Sequence, residues 1–191
     1  KQVFHALTST KPEKVIHLAA TCGGIGINQE QPGKFLYDNL AMGMNLIEGC
    51  RQYGTEKFVM LGTVCAYPKF TPVPFKESDL WNGYPEETNA PYGIAKKTLM
   101  RLLEAYHEQY GMNGINLIPV NMYGPHDNFS ENGLIVGRLI SAIDSAIVEK
   151  GDINLPGNGY DERNFTFVKD LNPVFDNLIL DSNCDPVIAS C

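Results

Sequence analysis

Hydrophobic positions along the chain fall into short continuous runs and into longer runs with a spacing near 3.6 residues. The short runs are typical of buried strands, and the longer ones are typical of helices with one buried face. Strands are predicted at residues 15–20, 58–61 and 115–120, and helices at residues 35–53, 92–110 and 134–150. Strands alternating with helices of this length predict parallel βαβ units with right-handed crossovers. The predicted fold class is therefore α/β, a Rossmann-type doubly wound parallel sheet.

Composition narrows the class of protein. The chain has 191 residues, enough for one domain with a sizeable core. Its formal net charge of −7 argues against a general nucleic-acid binder but not against a pocket for one nucleotide. No apolar run is long enough to cross a membrane, so no membrane partner is expected. The five cysteines lack Cys-x-x-Cys spacing. They indicate reduced thiols in a cytoplasmic protein and no metal site.

Tyr92 and Lys96 are the pair of residues with the most chemical content. Side chains four positions apart lie on one face of a helix, so the Lys96 ammonium can lie beside the Tyr92 phenol. A free tyrosine titrates near pH ~10, and a nearby positive charge moves that pKa toward neutrality. Such a pair suits the reduction of a carbonyl or the oxidation of an alcohol. The alternative is an exposed helix face, because this spacing is common by chance.

The predicted strand at residues 58–61 supplies a third chemical group. It ends at Gly62, and Thr63 follows in a loop. Open α/β sheets bind their ligands at the carboxyl ends of their strands. Thr63, Tyr92 and Lys96 together form the constellation of the short-chain dehydrogenase/reductase superfamily, which this chain resembles. In that superfamily the hydroxyl positions the substrate carbonyl, the tyrosine exchanges the proton, and the lysine tunes the tyrosine and binds the nicotinamide ribose.

Three longer blocks narrow this resemblance to one family. Residues 62–69, 87–92 and 121–129 resemble the GDP-L-fucose synthase family, whose members are GDP-4-keto-6-deoxy-D-mannose 3,5-epimerase/4-reductases. The similarity runs from about Val15 to Val168. It implies NADP(H) as the cofactor, a GDP-sugar as the substrate, and a homodimer formed through helices 35–53 and 92–110.

The resemblance also implies a set of site residues. Cys65 matches the cysteine that exchanges protons on the carbons flanking the keto group, and it joins Thr63, Tyr92 and Lys96 as a catalytic residue. Arg163 and Asn121 are the predicted substrate contacts, since a guanidinium fork fits a diphosphate. The predicted cofactor contacts lie after the strands and on the second helix: Leu61, Gly62, Thr63, Val64, Tyr92, Lys96, Pro119, Val120, Asn121 and Met122.

The chain departs from the family pattern at several positions. Leu134 stands where the family has a second epimerisation residue, a histidine, and a leucine side chain cannot carry a proton. His126 is the nearest imidazole, but we interpret it as a turn residue. Pro156 replaces a tryptophan that contacts the nucleotide sugar. Gly24 and Gly26 are not the dinucleotide phosphate loop, because the third glycine is absent. We interpret them as part of a turn after a strand, and the family resemblance implies that this turn borders the active site.

The family's glycine-rich phosphate loop does not occur in this sequence, so we expect a fragment lacking both ends. Residues 1–128 are then a partial NAD(P)-binding domain. Residues 129–191 are a partial substrate-binding region interleaved with the end of that domain, and residues 186–191 are predicted to be a strand entering it. Two alternatives remain open: a ketoreductase or epimerase for another nucleotide sugar, and a truncated, catalytically silent subunit.

Overall fold

The structure is a computed structural model that describes residues 2–130, 133–153, 160, 162–180 and 188–190. Its strands are β1 (Lys14–His17), β2 (Lys57–Leu61), β3 (Gly114–Ile118), β4 (Asn121–Tyr123), β5 (Phe165–Phe167) and β6 (Ile188–Ser190). Its helices are α1 (Gln2–Thr10), α2 (Ile25–Glu30), α3 (Pro32–Tyr53), α4 (Ala90–Tyr110), α5 (Ile135–Glu149) and α6 (Asn172–Leu180).

The main sheet has the strand order β1-β2-β3-β6, and all of its pairings are parallel. β4 and β5 form a separate parallel pair. Strand β2 and strand β3 lie almost entirely in the core, as expected for a parallel sheet covered by helices. The predicted α/β Rossmann-type fold is confirmed.

The long helices α3 and α4 pack closely against each other. Proline in the first turn favours the start of each helix, and a glycine with positive φ ends each one: Gly54 at 85° and Gly111 at 66°. A Cβ on Gly43 of α3 would lie 2.2 Å from a methyl carbon of Leu99 on α4. The absence of a side chain at Gly43 therefore permits the close approach of the two helices.

Four details of the fold differ from the prediction. The first strand ends at His17 rather than at residue 20, and the third ends at Ile118 rather than at residue 120. The segment after Ile118 instead starts the separate β4–β5 pair. The loop after β1 contains a short helix, α2, where we predicted only a turn. Ile188–Ser190 pairs with β3 and extends the main sheet, a pairing that the prediction for residues 186–191 did not include. The entry of this segment into a substrate domain stays a prediction.

Among the described residues, β1 is an edge strand of the main sheet. It pairs with β2, and no strand among the described residues lies on its other side. Ile16 in β1 is 38% exposed, and Leu18 just beyond it is 58% exposed. None of the helices in the described part of the chain is both long and apolar enough to cross a membrane.

Candidate active site

The candidate site forms where the parallel strands end and helix α4 begins. Gly93, in the first turn of α4, packs directly on the short 3₁₀ turn that follows β2, Val64–Ala66. A Cβ at Gly93 would lie 2.3 Å from the carbonyl oxygen of Cys65. This backbone contact brings Tyr92 next to Thr63 and Cys65, so three predicted catalytic residues lie together.

Thr63 connects the catalytic groups. Its hydroxyl oxygen accepts a hydrogen bond from the Cys65 amide at 3.2 Å, which caps the 3₁₀ turn. The Thr63 side chain also hydrogen bonds with Tyr92 and with the Cys65 thiol, and each of these bonds lowers the pKa of its partner. Thr63 is 9% exposed, so its hydroxyl is held in a buried position beside the start of α4.

Tyr92 does not show the lowered pKa that the Tyr–Lys pair predicted. Burial raises its pKa well above that of a free tyrosine, and negative charge on Cys22 or Cys65 raises it further. The hydrogen bond with Thr63 opposes this rise in the Tyr92 pKa without overcoming it. The phenol is therefore protonated at neutral pH, which is the form that can donate a proton.

Lys96 is buried at the end of β2. Its ammonium donates a hydrogen bond to the carbonyl oxygen of Leu61 at 3.1 Å, and the residue as a whole is 2% exposed to solvent. Burial lowers the pKa of Lys96. His17, at the end of β1, is also buried, and desolvation together with the Lys96 charge lowers its pKa to about 4.

Cys65 is partly buried, and its electrostatic surroundings are mixed. Burial raises the pKa of the thiol, while the hydrogen bond with Thr63 and the positive charge of Arg163 lower it. The effect of Arg163 on Cys65 shows that the guanidinium lies near the thiol, although the two residues are 98 positions apart in the sequence. The structure thus brings a predicted substrate contact to the predicted catalytic residues.

The remaining predicted cofactor contacts lie at the same edge of the sheet. Gly62 donates its amide hydrogen to the Leu117 carbonyl at 2.8 Å, which fixes the end of β2 beside β3. The Asn121 side-chain amide donates to the Asn164 carbonyl at 3.1 Å and so links β4 to the segment carrying Arg163. Leu61, Val64, Pro119, Val120 and Met122 occupy the strand ends and the turns beyond them. Their contacts with a cofactor remain predictions.

The positions that depart from the family pattern are placed as follows. Leu134 immediately precedes α5 and is 43% exposed. His126 is exposed and has a φ of 68°, within a turn in which the Asp127 amide donates to the Gly124 carbonyl. This geometry agrees with the interpretation of His126 as a turn residue. Pro156 lies outside the described residues.

The family resemblance predicts that the turn after β1 borders the site, but no role was predicted for Cys22 in that loop. A thiolate at Cys22, whose side chain is exposed, would raise the pKa of both Tyr92 and Lys96. Buried Asn39 of α3 holds the backbone of Thr21, the residue before it. The signal was available: Thr21 and Cys22 follow the end of a strand, which is the same rule that identified Thr63.

Comparisons with known proteins agree with this geometry. The NAD dependent epimerase/dehydratase family model matches residues 1–182. GDP-L-fucose synthase from Sinorhizobium fredii is 40% identical over 172 residues, which is 89% of this chain and 55% of that protein. GDP-L-fucose synthase from Escherichia coli is 35% identical, with 90% of this chain and 54% of that protein covered.

A solved structure of a GDP-L-fucose synthetase has a similar fold. The GDP-L-fucose synthetase of Naegleria fowleri bound to NADP superposes with a TM-score of 0.82 at 29% identity, covering 90% of this chain and 57% of that one. The chain spans about half the length of the curated relatives it matches. It belongs to the NAD dependent epimerase/dehydratase family and is a GDP-L-fucose synthase-like member of it.

Proposed function

We propose that the full-length protein is an NADPH-dependent epimerase and reductase that converts GDP-4-keto-6-deoxy-D-mannose to GDP-L-fucose in the cytoplasm. The observation that carries the proposal is the cluster of Thr63, Tyr92 and Lys96, in which a partly buried, protonated phenol is hydrogen bonded to a strand-end hydroxyl. The names of the relatives, GDP-L-fucose synthases, support the choice of substrate.

The donor groups at this edge fit a nicotinamide nucleotide. An ammonium has three N–H donors, and in the described structure Lys96 gives one of them to the Leu61 carbonyl, which leaves donors for ribose hydroxyls. The solved relative from Naegleria fowleri carries NADP. NADPH, when bound, supplies the hydride that reduces the ketone at C4.

The protein's own part in the reduction is to handle a proton. Thr63 would donate a hydrogen bond to the C4 oxygen and fix its position, and Tyr92 would give its phenolic proton to the same oxygen. The raised pKa of Tyr92 keeps the phenol loaded with a proton before reaction. Lys96 lies one helical turn further on the same face of α4, and its charge would favour the phenolate left behind.

Epimerisation needs a base next to the carbons that flank the ketone. Cys65 is placed for this role, since its hydrogen bond with Thr63 puts the thiol beside the group that holds the carbonyl oxygen. The nearby Arg163 charge favours the thiolate and would also attract the diphosphate of the substrate. Asn121 would keep the Arg163 segment in place through its bond to Asn164.

A second candidate is a related reaction on another nucleotide sugar. Leu134 favours it, because the family's second epimerisation acid is replaced there by an apolar side chain. A reductase without epimerisation would need Thr63, Tyr92 and Lys96 but not a proton-exchanging residue at position 134. As a further part of the proposal, two copies would form a homodimer through helices α3 and α4.

The test is to supply the full-length natural protein with GDP-4-keto-6-deoxymannose and NADPH and to identify the product by mass spectrometry and NMR. GDP-L-fucose is the expected product. Tyr92→Phe should slow NADPH consumption by about 10²–10⁴-fold, since the proton donor is removed. Nucleotide binding should remain.

Tyr37→Phe is the matched control, because this residue is 72% exposed on α3. It should leave the rate unchanged. A Tyr92→Phe rate within about threefold of the wild-type rate would remove Tyr92 from the mechanism. A different reduced GDP-sugar as the product would favour the second candidate.

A further inference from the structure

We propose that Glu86 is a positioning residue of this site: its carboxylate fixes the start of α4 and thereby the contact between Tyr92 and Thr63. The inference rests on the proposed function and adds to it a residue outside the reacting cluster. Three features carry it: the hydrogen bonds of the carboxylate, the position of these bonds directly before α4, and the pairing that ties Glu86 to the segment of Thr63.

The Glu86 carboxylate closes the turn that precedes α4. One of its oxygens, Oε2, accepts hydrogen bonds from the Thr88 amide at 3.1 Å, from the Thr88 hydroxyl, and from the Asn89 side-chain amide at 3.4 Å. The Glu86 carbonyl also accepts from the Asn89 amide at 3.1 Å. Donors around a carboxylate favour its charged form, and the bond from the Thr88 side chain contributes most to lowering the Glu86 pKa. The carboxylate is therefore charged at neutral pH and able to accept these bonds.

These bonds set the place where α4 begins. Asn89 immediately precedes the helix, and an asparagine at this position commonly caps a helix with its own side chain. Here the Asn89 side chain makes no capping bond and donates to Glu86 instead. The Asn89 carbonyl accepts the first helical bond, from the Gly93 amide at 2.9 Å. The first turn of α4 is therefore held from the side of Glu86.

Glu86 is also tied to the segment that carries Thr63. Pro85, the residue before Glu86, is buried and pairs with Pro68 in an antiparallel bridge. Pro68 lies two residues after the 3₁₀ turn Val64–Ala66, which the Thr63 side chain caps. Glu86 thus joins two parts of the site that must stay in register, the turn after β2 on one side and the start of α4 on the other.

A shift at the start of α4 would act directly on the reacting groups. Tyr92 lies in the first turn of the helix and hydrogen bonds with Thr63. Gly93, next to it, leaves no room for a Cβ, which would lie 2.3 Å from the Cys65 carbonyl oxygen. A displacement of about 1 Å between reacting groups can slow a reaction by about 10²-fold. Glu86 would thus affect the rate through Tyr92 without contacting the substrate itself.

The neighbouring carboxylate provides a matched control. Glu87 forms an ion pair with the Lys69 ammonium at 2.6 Å, and its side chain is 66% exposed. An exposed ion pair of this kind contributes little to stability. Glu87 is therefore an acid of the same size, one position further along the chain, whose ion pair lies outside the turn that starts α4.

The test measures kcat and KM for NADPH consumption with GDP-4-keto-6-deoxymannose on the full-length natural protein. Glu86→Ala should lower kcat by about tenfold or more, because Tyr92 loses its fixed distance from the C4 oxygen. The KM values for NADPH and for the sugar nucleotide should stay within about threefold. Glu86→Gln keeps an acceptor oxygen and should retain kcat within about threefold of wild type. Glu87→Gln should leave both constants unchanged.

A second pair of variants tests the same bond from its other end and does not require Glu86→Ala to fold. Thr88→Val removes the hydroxyl donor with little change in size and should lower kcat by about threefold. Thr88→Ser keeps the hydroxyl and should retain the rate. Combining Thr88→Val with Glu86→Ala should slow the enzyme no further than Glu86→Ala alone, since the bond between the two side chains is already lost.

Three results would overturn the proposal while leaving the proposed function intact. These are a Glu86→Ala kcat within about twofold of wild type, a loss confined to KM, and full multiplication of the two effects in the double variant. A loss confined to KM would make Glu86 a binding group rather than a positioning residue. A wild-type protein that does not reduce this substrate overturns the proposed function, and the role of Glu86 with it.

Discussion

Burial favours the uncharged form of four ionisable residues at the site. It raises the pKa of Tyr92 and Cys65 and lowers the pKa of Lys96 and His17. Charge on these residues is consequently costly until a ligand or a reacting group stabilises it. A protonated phenol is suited to giving a proton to a carbonyl oxygen, and Lys96, one helical turn further along α4, would stabilise the phenolate that remains.

His17 provides a prediction for stability that does not depend on the proposed reaction. Its folded pKa of about 4 lies below the ordinary value of 6.5, so the unfolded chain binds more protons between these values. Stability contributed by the neutral His17 is present above about pH 6.5 and is lost as the pH falls toward 4. Complete loss amounts to up to about 3 kcal/mol.

Urea unfolding at pH 7 and pH 5 measures this effect. The wild-type chain should lose more unfolding free energy between the two pH values than His17→Gln, which has no titrating group at this position. His5→Gln is the control, because His5 is exposed on α1 and should leave the pH dependence unchanged. Equal pH dependence in wild type and His17→Gln would contradict the buried, neutral state of His17.

At the scale of elements, the site depends on how closely α4 approaches the turn after β2. Gly93→Ala adds a methyl group where 2.3 Å separates its position from the Cys65 carbonyl oxygen, a backbone atom that cannot rotate away. The helix or the turn must move, so a loss of about 1–3 kcal/mol of unfolding free energy is expected. The rate of NADPH consumption should also fall, because this movement separates Tyr92 from Thr63.

Gly33→Ala is the matched control for this prediction. Gly33 is also in the first turn of a long helix, but nothing lies within 4 Å of its Cβ position. Alanine there should be neutral or stabilise the chain by about 0.5–1 kcal/mol. Thermal unfolding and the rate of NADPH consumption should be measured on both variants of the full-length protein. The comparison distinguishes the steric effect of the added methyl group at Gly93 from the general effect of alanine on helix stability. Equal behaviour of the two variants would show that the close contact is absent.

The elements also show what the sequence can predict. Long helices such as α3 and α4 were found from their spacing, because a buried face repeated over several turns leaves a strong pattern. The strands β4 and β5 have three residues each, too few to show a period, and their pairing depends on residues 44 positions apart. The site residues Thr63, Tyr92 and Lys96 could be predicted from local sequence. Thr63 follows a strand end, and the other two are four positions apart in a helix. Cys22 was given no role because the position of its loop depends on the bonds of Asn39 on α3 to Thr21, which no local pattern records.

At the scale of the whole molecule, the family resemblance predicts further strands beside strand β1 of the main sheet. β1 pairs with β2 on one side, and the described residues place no strand on the other, where Ile16 and Leu18 are partly exposed. The chain covers 55% of the Sinorhizobium fredii relative. The family resemblance implies preceding strands and a glycine-rich loop that would pair with this side and hold the cofactor's pyrophosphate.

The 191-residue chain, expressed alone, should therefore bind NADPH weakly. A hybrid that joins them to the preceding segment of the Sinorhizobium fredii relative should bind at least about tenfold more tightly, since phosphate contacts at a helix N-terminus are restored. Isothermal calorimetry gives both dissociation constants. Ile16→Lys in the 191-residue chain is the control, because a charge on an edge strand reduces self-association without adding a phosphate site. Comparable constants for the chain and the hybrid would mean that Leu61, Lys96 and Asn121 hold the cofactor by themselves.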